Sequence, residues 1–197
     1  QEAQTAGYYS SRSGIFQVNS FHSICENYLR EVCKRLVDEF FPDLGVSDYR
    51  GQFQRLCEEV GTEFGVDISE LDGLSAIELA DEIGDMMLDA LDEKFEAVAV
   101  EYLDALKRQL YLQISDEQWR DHLSIMQELM LSVSLTGQDR KHAVAEYAIR
   151  SHQKYETLSG DVADEFICKL FQFPVGDLVK PDGQKRLLDG EVEGILA

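Results

Sequence analysis

Proline is scarce in this chain of 197 residues, which contains only Pro42, Pro174 and Pro181. Proline breaks helices because its ring removes a backbone donor and clashes with the preceding turn. Residues 43–173 contain no proline. We therefore expect long helices in that stretch.

Long apolar runs are also missing. No stretch of the sequence approaches the roughly 18 apolar residues that a membrane-spanning helix needs. We expect a chain that is soluble by itself, so that any membrane contact is made through a partner. The chain begins with Gln1 and shows no charged and then apolar leader, which favours a segment excised from a longer protein.

Motifs for metal, redox and nucleotide chemistry are lacking as well. The four cysteines form no Cys-x-x-Cys pair, and no histidine lies at zinc-ligand spacing from them, so we expect buried thiols of a cytosolic protein. The sequence has no Gly-x-x-x-x-Gly-Lys-Ser/Thr loop for nucleotide phosphates. We predict no metal ligand, no catalytic residue and no cofactor in this chain.

Positive charge is in deficit, since 38 acidic side chains outnumber 18 basic ones and the formal net charge is -20. The imbalance is local. Residues 20–99 have a net charge of -14, whereas residues 101–160 have a net charge of -2. A negative field repels nucleic acid, so we expect no nucleic-acid partner.

Helical periodicity is what the sequence has in abundance. Apolar residues recur every three or four positions from Phe21 to Phe40, which predicts a helix with Ser20 as its N-cap. A second apolar stripe runs from residue 77 to 106 and predicts one long helix. Ser75 and Glu78, at its start, have the spacing of a capping box.

A helical hairpin is expected farther along the chain. Ser115 and Gln118 resemble a second capping box and predict a helix break, followed by a new helix over residues 116–134. Turn-forming residues at 135–139 precede another helix over 142–158. We predict an all-α fold in which long helices include an antiparallel hairpin packed beside a smaller helical part. Beyond residue 160 the pattern weakens, and residues 166–175 could form a strand or a helix end.

Residues 112–147 carry a pattern far more specific than periodicity. Its spaced positions are Leu112, Gln113, Asp116, Trp119, His122, Leu123, Met126, Leu129, Leu135, Gly137, Lys141, Glu146 and Tyr147. Without a gap, this pattern resembles the finger region of the SecA family of preprotein translocase ATPases. Tyr9, Arg12 and Ile15 are similar to the end of that family's long scaffold helix, and the acidic segment between the two regions fits the family's wing domain by position.

The resemblance implies a division of the chain into four regions. Residues 1–19 would be the end of the long scaffold helix and a linker, and residues 20–100 the helical wing domain. Residues 101–160 would form the two-helix finger of the helical scaffold. Residues 161–197 would be a C-terminal linker or tail.

The resemblance also implies a function. The chain would be a non-catalytic fragment of a translocase subunit that couples ATP-driven motor movement to preprotein passage through a SecY-type channel. Its partners would be the preprotein, the channel and the remaining ATPase motor domains, which would hold ATP and Mg. The location would be cytoplasmic, with peripheral rather than integral attachment to the inner membrane.

The finger tip implied by the resemblance would contact polypeptide and channel. Its residues are Thr136, Gly137, Gln138, Asp139, Arg140 and Lys141. The family usually has Arg in place of Thr136 and Tyr in place of Gln138, and its Asp-Pro is replaced by residues 142–143. An aromatic side chain offers apolar contact that glutamine lacks, so the tip is expected to grip polypeptide less strongly.

The remaining positions of the pattern have structural interpretations. These are Trp119, His122, Leu123, Met126, Leu129, Glu146 and Tyr147. We predict that Trp119, Met126 and Met130 pack in the hairpin core. His122, one turn from Trp119, is expected to complete a buried hydrogen bond rather than bind a metal, because no partner ligand lies three or four residues away.

One alternative function stays open. The acidic residues at 78–96 are typical of a solvated helix face, but they could also meet a basic partner. The chain would then be an acidic all-helical adaptor that binds a basic protein through residues 75–100.

Overall fold

The computed structural model describes residues 2–18, 20–42, 49–135 and 140–177. Its helices are α1 (Glu2–Gln17), α2 (His22–Phe40), α3 (Tyr49–Phe64), α4 (Ala76–Phe95), α5 (Val100–Leu135) and α6 (Arg140–Gln172). Short 3-10 turns cover Ser69–Leu71 and Val175–Asp177. No strand occurs in these ranges, and the predicted all-α class is confirmed.

The chain forms two compact units, each built from separate stretches of sequence. The first, here called the hairpin unit, contains α1 and residues 108–162; the second, here called the bundle unit, contains residues 20–107 and the residues from 163 onward. Helices α5 and α6 therefore contribute to both units. The sequence predicted divisions after residues 19, 100 and 160, whereas the units divide after residues 19, 107 and 162.

The bundle unit is built around α2, which packs along α4 and over a shorter length against α3. The stripes predicted for α2 and α4 are the buried faces of these helices. On α2 the buried residues are Cys25, Leu29, Val32, Cys33 and Val37, and on α4 they include Leu79, Ile83, Met87, Leu91 and Phe95. Removing this much apolar surface from water is the main stabilising contribution in the unit.

Ion pairs lie at the margin of this core. Arg30 of α2 contacts Asp85 of α4 at 2.7 Å, and Arg35 of α2 contacts Asp164 of α6 at 2.6 Å. All four side chains are between 39% and 62% exposed. Pairs at that exposure contribute only about 0–1 kcal/mol each, so apolar packing stabilises the unit more than these ion pairs do.

The predicted capping box of α4 is present. Ser75 Oγ accepts from the Glu78 amide, and the Glu78 carboxylate accepts from the Ser75 amide at 3.0 Å. At the start of α2, however, the predicted N-cap is wrong. The N-cap is Phe21, whose amide donates to the Asp104 carboxylate of α5. A carboxylate brought in by the fold thus satisfies a donor at that end.

Two predicted helix boundaries need correction. The stripe from residue 77 to 106 belongs to two helices, because α4 ends at Phe95 and α5 begins at Val100. The intervening turn buries Val98, which is 6% exposed. Conversely, α5 runs without a break through Ser115, which lies on its buried face next to the fully buried Ile114. Packing on the same face of one helix outweighs the local capping pattern there.

The last helix is longer than predicted. Helix α6 continues from Arg140 to Gln172, beyond the predicted end at residue 158. Its final turns bury Phe166, Ile167 and Leu170 in the bundle unit. The run that was compatible with a strand is therefore mostly helix, because three apolar residues at helical spacing find a core to pack into.

Candidate functional site: the base of the helical hairpin

The predicted finger tip is described only at its edge. Thr136, Gly137, Gln138 and Asp139 lie outside the described residues, and Arg140 and Lys141 are the first residues of α6. The contacts that the structure does describe lie in the hairpin below this turn.

The second half of α5 and the first half of α6 pair in antiparallel fashion within the hairpin unit. The rings of Trp119 and His122 lie 6.5 Å and 5.9 Å from the ring of Tyr155, measured between centroids. Nearer the turn, a groove of about 510 Å³ has Ile125 and Leu129 on the α5 side and residues 150–157 on the α6 side. The predicted hairpin is confirmed.

Residues of the sequence pattern occupy different faces of this hairpin. Trp119, His122 and Met126 are buried, at 4%, 4% and 1% exposure. Leu123, Leu129 and Tyr147 are half-buried. Glu146, also half-buried, forms an ion pair with Arg150 one turn later.

The two methionines expected in the core differ in burial. Met126 is buried as predicted, whereas Met130 is 61% exposed, so its assignment to the core is wrong. A separation of four residues usually keeps two side chains on one helix face. Here the buried face ends before Met130, since Leu131 next to it is also exposed.

Three rings from two helices form a stack at the base of the hairpin. Tyr8 of α1 lies parallel to Trp119 with centroids 4.5 Å apart and planes 5° apart. On the same helix as Trp119, His122 stacks on the indole at 5.3 Å. Tyr155 of α6 approaches the indole edge-on, at 78°. Such contacts add about 0.5–1.5 kcal/mol per pair beyond burial alone, so the stack and the edge-on Tyr155 ring together join all three helices of the unit.

His122 differs from its prediction. Among the described residues, no hydrogen-bond partner reaches its buried Nε2. The buried hydrogen bond expected of His122 is therefore not made at Nε2. Because burial disfavours the charged ring, the pKa of His122 is lowered from its usual value. His122 is thus kept neutral while it serves as an aromatic packing residue.

Asp116, one turn before Trp119, accepts hydrogen bonds from side chains of α1. Arg12 donates to it through Nε at 2.7 Å and through Nη2 at 2.9 Å, and the Tyr8 hydroxyl donates to the same carboxylate. The bond from Arg12, supported by that from Tyr8, holds the pKa of Asp116 below its usual range. Burial, followed by the bond to Asp116, raises the pKa of Tyr8 to about 12.

Two more contacts hold α1 in the hairpin unit. Gln4 Nε2 donates to the hydroxyl and the carbonyl of Ser151 of α6, both at 3.2 Å. At the other end of α1, Arg108 of α5 donates to the carbonyl of Ile15. Helix α1 is therefore attached to both arms of the hairpin.

Sequence reasoning found part of this site. Asp116, Trp119 and Arg12 were all in matched positions, but nothing in the sequence showed that Arg12 meets Asp116, because 104 residues separate them. The pattern also selected Tyr9, which is 56% exposed, whereas the buried member of the pair is Tyr8. The helical phase of Tyr8 with Arg12 and Ile15, at spacings of four and three, is the signal that would have found it.

Two kinds of functional feature do not occur in the described ranges. In them, no group of three or more His, Cys, Asp and Glu side chains is placed to hold a metal ion. None of their helices combines the length and apolar character needed to cross a membrane. The geometry of the site is that of a joint between helices.

Comparisons with known proteins identify the family of the chain. The family model described as "SecA Wing and Scaffold domain" matches residues 2–174. Protein translocase subunit SecA of Campylobacter fetus subsp. fetus is 33% identical over 141 residues, which cover 70% of this chain and 16% of that protein. The SecA subunit of Solibacter usitatus is 28% identical over 71% of this chain and 15% of its own length, and that of Mycoplasmopsis synoviae is 26% identical over 86% and 16%.

The chain thus spans less than a fifth of the length of these three relatives. The match extends beyond the hairpin, since it includes α1 and the helices of the bundle unit. With both the hairpin and the match over residues 2–174 established, the chain belongs to the SecA wing and scaffold domain family.

Proposed function

We propose that this chain acts as the wing and scaffold portion of a SecA-type protein translocase subunit. In this role it passes the movement of an ATP-driven motor to a preprotein in a SecY-type channel, and residues 136–141 touch the polypeptide. The observation that carries the proposal is the antiparallel pairing of α5 and α6 through Trp119, His122 and Tyr155, in a chain whose relatives are named translocase subunits.

A paired helical rod suits this task mechanically. Backbone hydrogen bonds in a helix are internal, so two paired helices can extend from a support without exposing unpaired donors. Toward the turn, several large apolar side chains are more than half exposed, namely Met130, Leu131, Val144 and Ile149. In this role these side chains would supply apolar contact to the polypeptide.

The chain would not hydrolyse ATP in this scheme. Its sequence lacks a phosphate-binding loop, so ATP and Mg would be held by motor domains outside these residues. Residues 20–100 would correspond to the wing and residues 101–160 to the finger. Attachment to the cytoplasmic face of the inner membrane would be peripheral and made through the channel.

The adaptor function is the second candidate, and the acidic face of α4 favours it. Asp81, Asp85, Asp89 and Asp92 are all exposed along this helix. They lie in the part of the chain with a net charge of -14 over residues 20–99. Charge of one sign on one face can attract a basic protein. Under this alternative the hairpin would have no polypeptide partner.

A photo-crosslinking experiment separates the two candidates. A benzophenone amino acid is introduced at Gln138 in the full-length protein, with Gln54 as the control because it is an exposed glutamine of the bundle unit. In membranes that contain a SecY-type channel and a preprotein, we expect adducts with preprotein or channel from position 138 and not from position 54. A third probe at Asp89, on the acidic face of α4, tests the alternative. Adducts with a basic protein from position 89 alone would favour the adaptor. The absence of any adduct from position 138 would overturn the translocase proposal.

A further inference from the structure

A single carboxylate joins α1 to the hairpin. Asp116 receives three donor groups from α1: Arg12 Nε at 2.7 Å, Arg12 Nη2 at 2.9 Å and the Tyr8 hydroxyl. A guanidinium that donates two parallel bonds to one carboxylate fixes the direction of approach as well as the distance. This contact therefore restricts rotation of α1 against α5, which one hydrogen bond would not do.

The contact is placed at the middle of a longer seam. The other contacts along it are the hydrogen bond from Gln4 to Ser151, the ring stack of Tyr8 on Trp119 and the hydrogen bond from Arg108 to the carbonyl of Ile15. The α1 positions 4, 8, 12 and 15 lie on one helix face, because they are separated by four, four and three residues. Along this face α1 runs antiparallel to α5, with residue 8 near 119 and residue 15 near 108. It runs parallel to α6.

Stability alone gives little reason for the ion pair. The side chains of Arg12 and Asp116 are 32% and 41% exposed, and pairs this accessible to water contribute about 0–1 kcal/mol. Burial of Trp119 and Met126 contributes far more to holding the hairpin together. What the pair adds is a defined angle, since the ring stack of Tyr8 on Trp119 by itself would permit sliding in the plane of the rings.

We propose that Asp116 is the positioning residue of the hairpin: through Arg12 and Tyr8 it fixes the angle between α1 and the two hairpin helices, so that α1 and the hairpin move as one lever. This inference rests on the proposed function for its purpose, since α1 would be the helix by which the motor moves the finger. The contact between α1 and the hairpin itself does not depend on the proposed function.

The joint is tested by double electron–electron resonance on this chain. Spin labels are placed at Ser10 of α1 and Gln127 of α5, both exposed, through unnatural amino acids that leave the native cysteines intact. We expect one narrow distance distribution for the parent chain. Arg12→Ala and Asp116→Asn should lose the narrow peak and give a broad distribution, with unchanged helix content by circular dichroism. Arg12→Lys keeps the charge but not the paired bonds, so its distance distribution should have a width between those of the parent chain and Arg12→Ala.

Asp121→Asn is the matched control, because Asp121 is an exposed carboxylate on the same helix. It should keep the narrow peak. A narrow peak retained by both Arg12→Ala and Asp116→Asn would overturn the proposal, and so would broadening accompanied by loss of helix, which would indicate a general structural role. The measurement needs neither channel nor preprotein, so it can fail while crosslinking from position 138 succeeds, and the reverse also holds.

Discussion

Gly7 of α1 lies so close to Tyr155 of α6 that a Cβ added at residue 7 would be 2.8 Å from the tyrosine hydroxyl. Carbon and oxygen atoms that are not bonded do not approach so closely, so any larger residue would displace the ring. Tyr155 also contacts Trp119 and His122. The missing side chain at residue 7 thus allows α1 to approach the aromatic cluster.

Alanine substitutions at two glycines of α1 test this relationship. Gly14 lies on the same helix, and a Cβ there would meet nothing within 4 Å. Because glycine is about 1 kcal/mol less favourable than alanine in a helix interior, Gly14→Ala should raise the free energy of unfolding by about that amount. Gly7→Ala should raise the free energy of unfolding by less than Gly14→Ala does, or should lower it. Urea titrations followed by the fluorescence of Trp119, the single tryptophan, measure both.

The tyrosine hydroxyl provides the control for this experiment. Tyr155→Phe removes the atom that the new methyl group would strike. In the Tyr155→Phe background, Gly7→Ala should recover most of the gain seen for Gly14→Ala. If Gly7→Ala equalled Gly14→Ala in the parent chain, the close approach of α1 to Tyr155 would be disproved.

Two methionines one turn apart on α5 give a matched pair for core packing. Met126 is 1% exposed and Met130 is 61% exposed. Truncation of a buried methionine to alanine costs about 2–5 kcal/mol, through lost burial and the cavity left behind. We expect Met126→Ala to destabilise the hairpin unit by that amount and Met130→Ala by less than about 0.5 kcal/mol. Similar losses for both variants would mean that the hairpin core extends farther toward the turn.

The contrast between these methionines shows how far the sequence predicts this fold. On α2 and α4, apolar residues at three- and four-residue spacing coincide with the buried faces, because each helix packs along its whole length within one unit. On α5, Met126 and Met130 both lie in the hairpin unit and are one turn apart, yet only Met126 is buried, so the buried face does not extend along the whole helix. A rule that uses spacing alone then misplaces Met130.

Nonlocal contacts could not be predicted from the sequence for a different reason. Ser115 has the spacing of a cap, but burial on a continuous helix decides its role. The bond from Arg12 to Asp116 joins residues 104 positions apart, and no local pattern encodes such a pairing. The family resemblance located the hairpin, whereas the contacts that hold α1 to it required the structure.

The capping box of α4 supplies a test in the bundle unit. Ser75 and Glu78 exchange bonds with each other's backbone amides at the start of the helix. Removal of an N-cap hydroxyl costs about 0.5–2 kcal/mol. Ser75→Ala should therefore lower the free energy of unfolding by about 1 kcal/mol, and Ser75→Asp should restore most of it. Thermal unfolding followed by circular dichroism measures the effect; no loss in Ser75→Ala would show that the box is not formed in solution.

The buried imidazole of His122 makes the stability of the hairpin unit depend on pH. Burial lowers the pKa of this imidazole in the folded chain, whereas in the unfolded chain it has its usual value of about 6.5. Between those two values the unfolded state binds a proton that the folded state does not. The contribution of His122 to the free energy of unfolding therefore decreases as the pH falls from about 6.5 toward the folded pKa of His122.

The substitution His122→Phe isolates this contribution, since phenylalanine keeps a ring beside Trp119 and cannot take up a proton. His142→Gln is the control, because His142 is an exposed histidine of α6 in the same unit. Urea titrations between pH 7.5 and pH 5 should show a shallower loss of stability in His122→Phe than in the parent chain, and a parent-like loss in His142→Gln. Parallel curves for His122→Phe and the parent chain would mean that the imidazole titrates alike in both states. In that case water or a proton donor reaches Nε2, and the ring stack at the base of the hairpin is open to solvent.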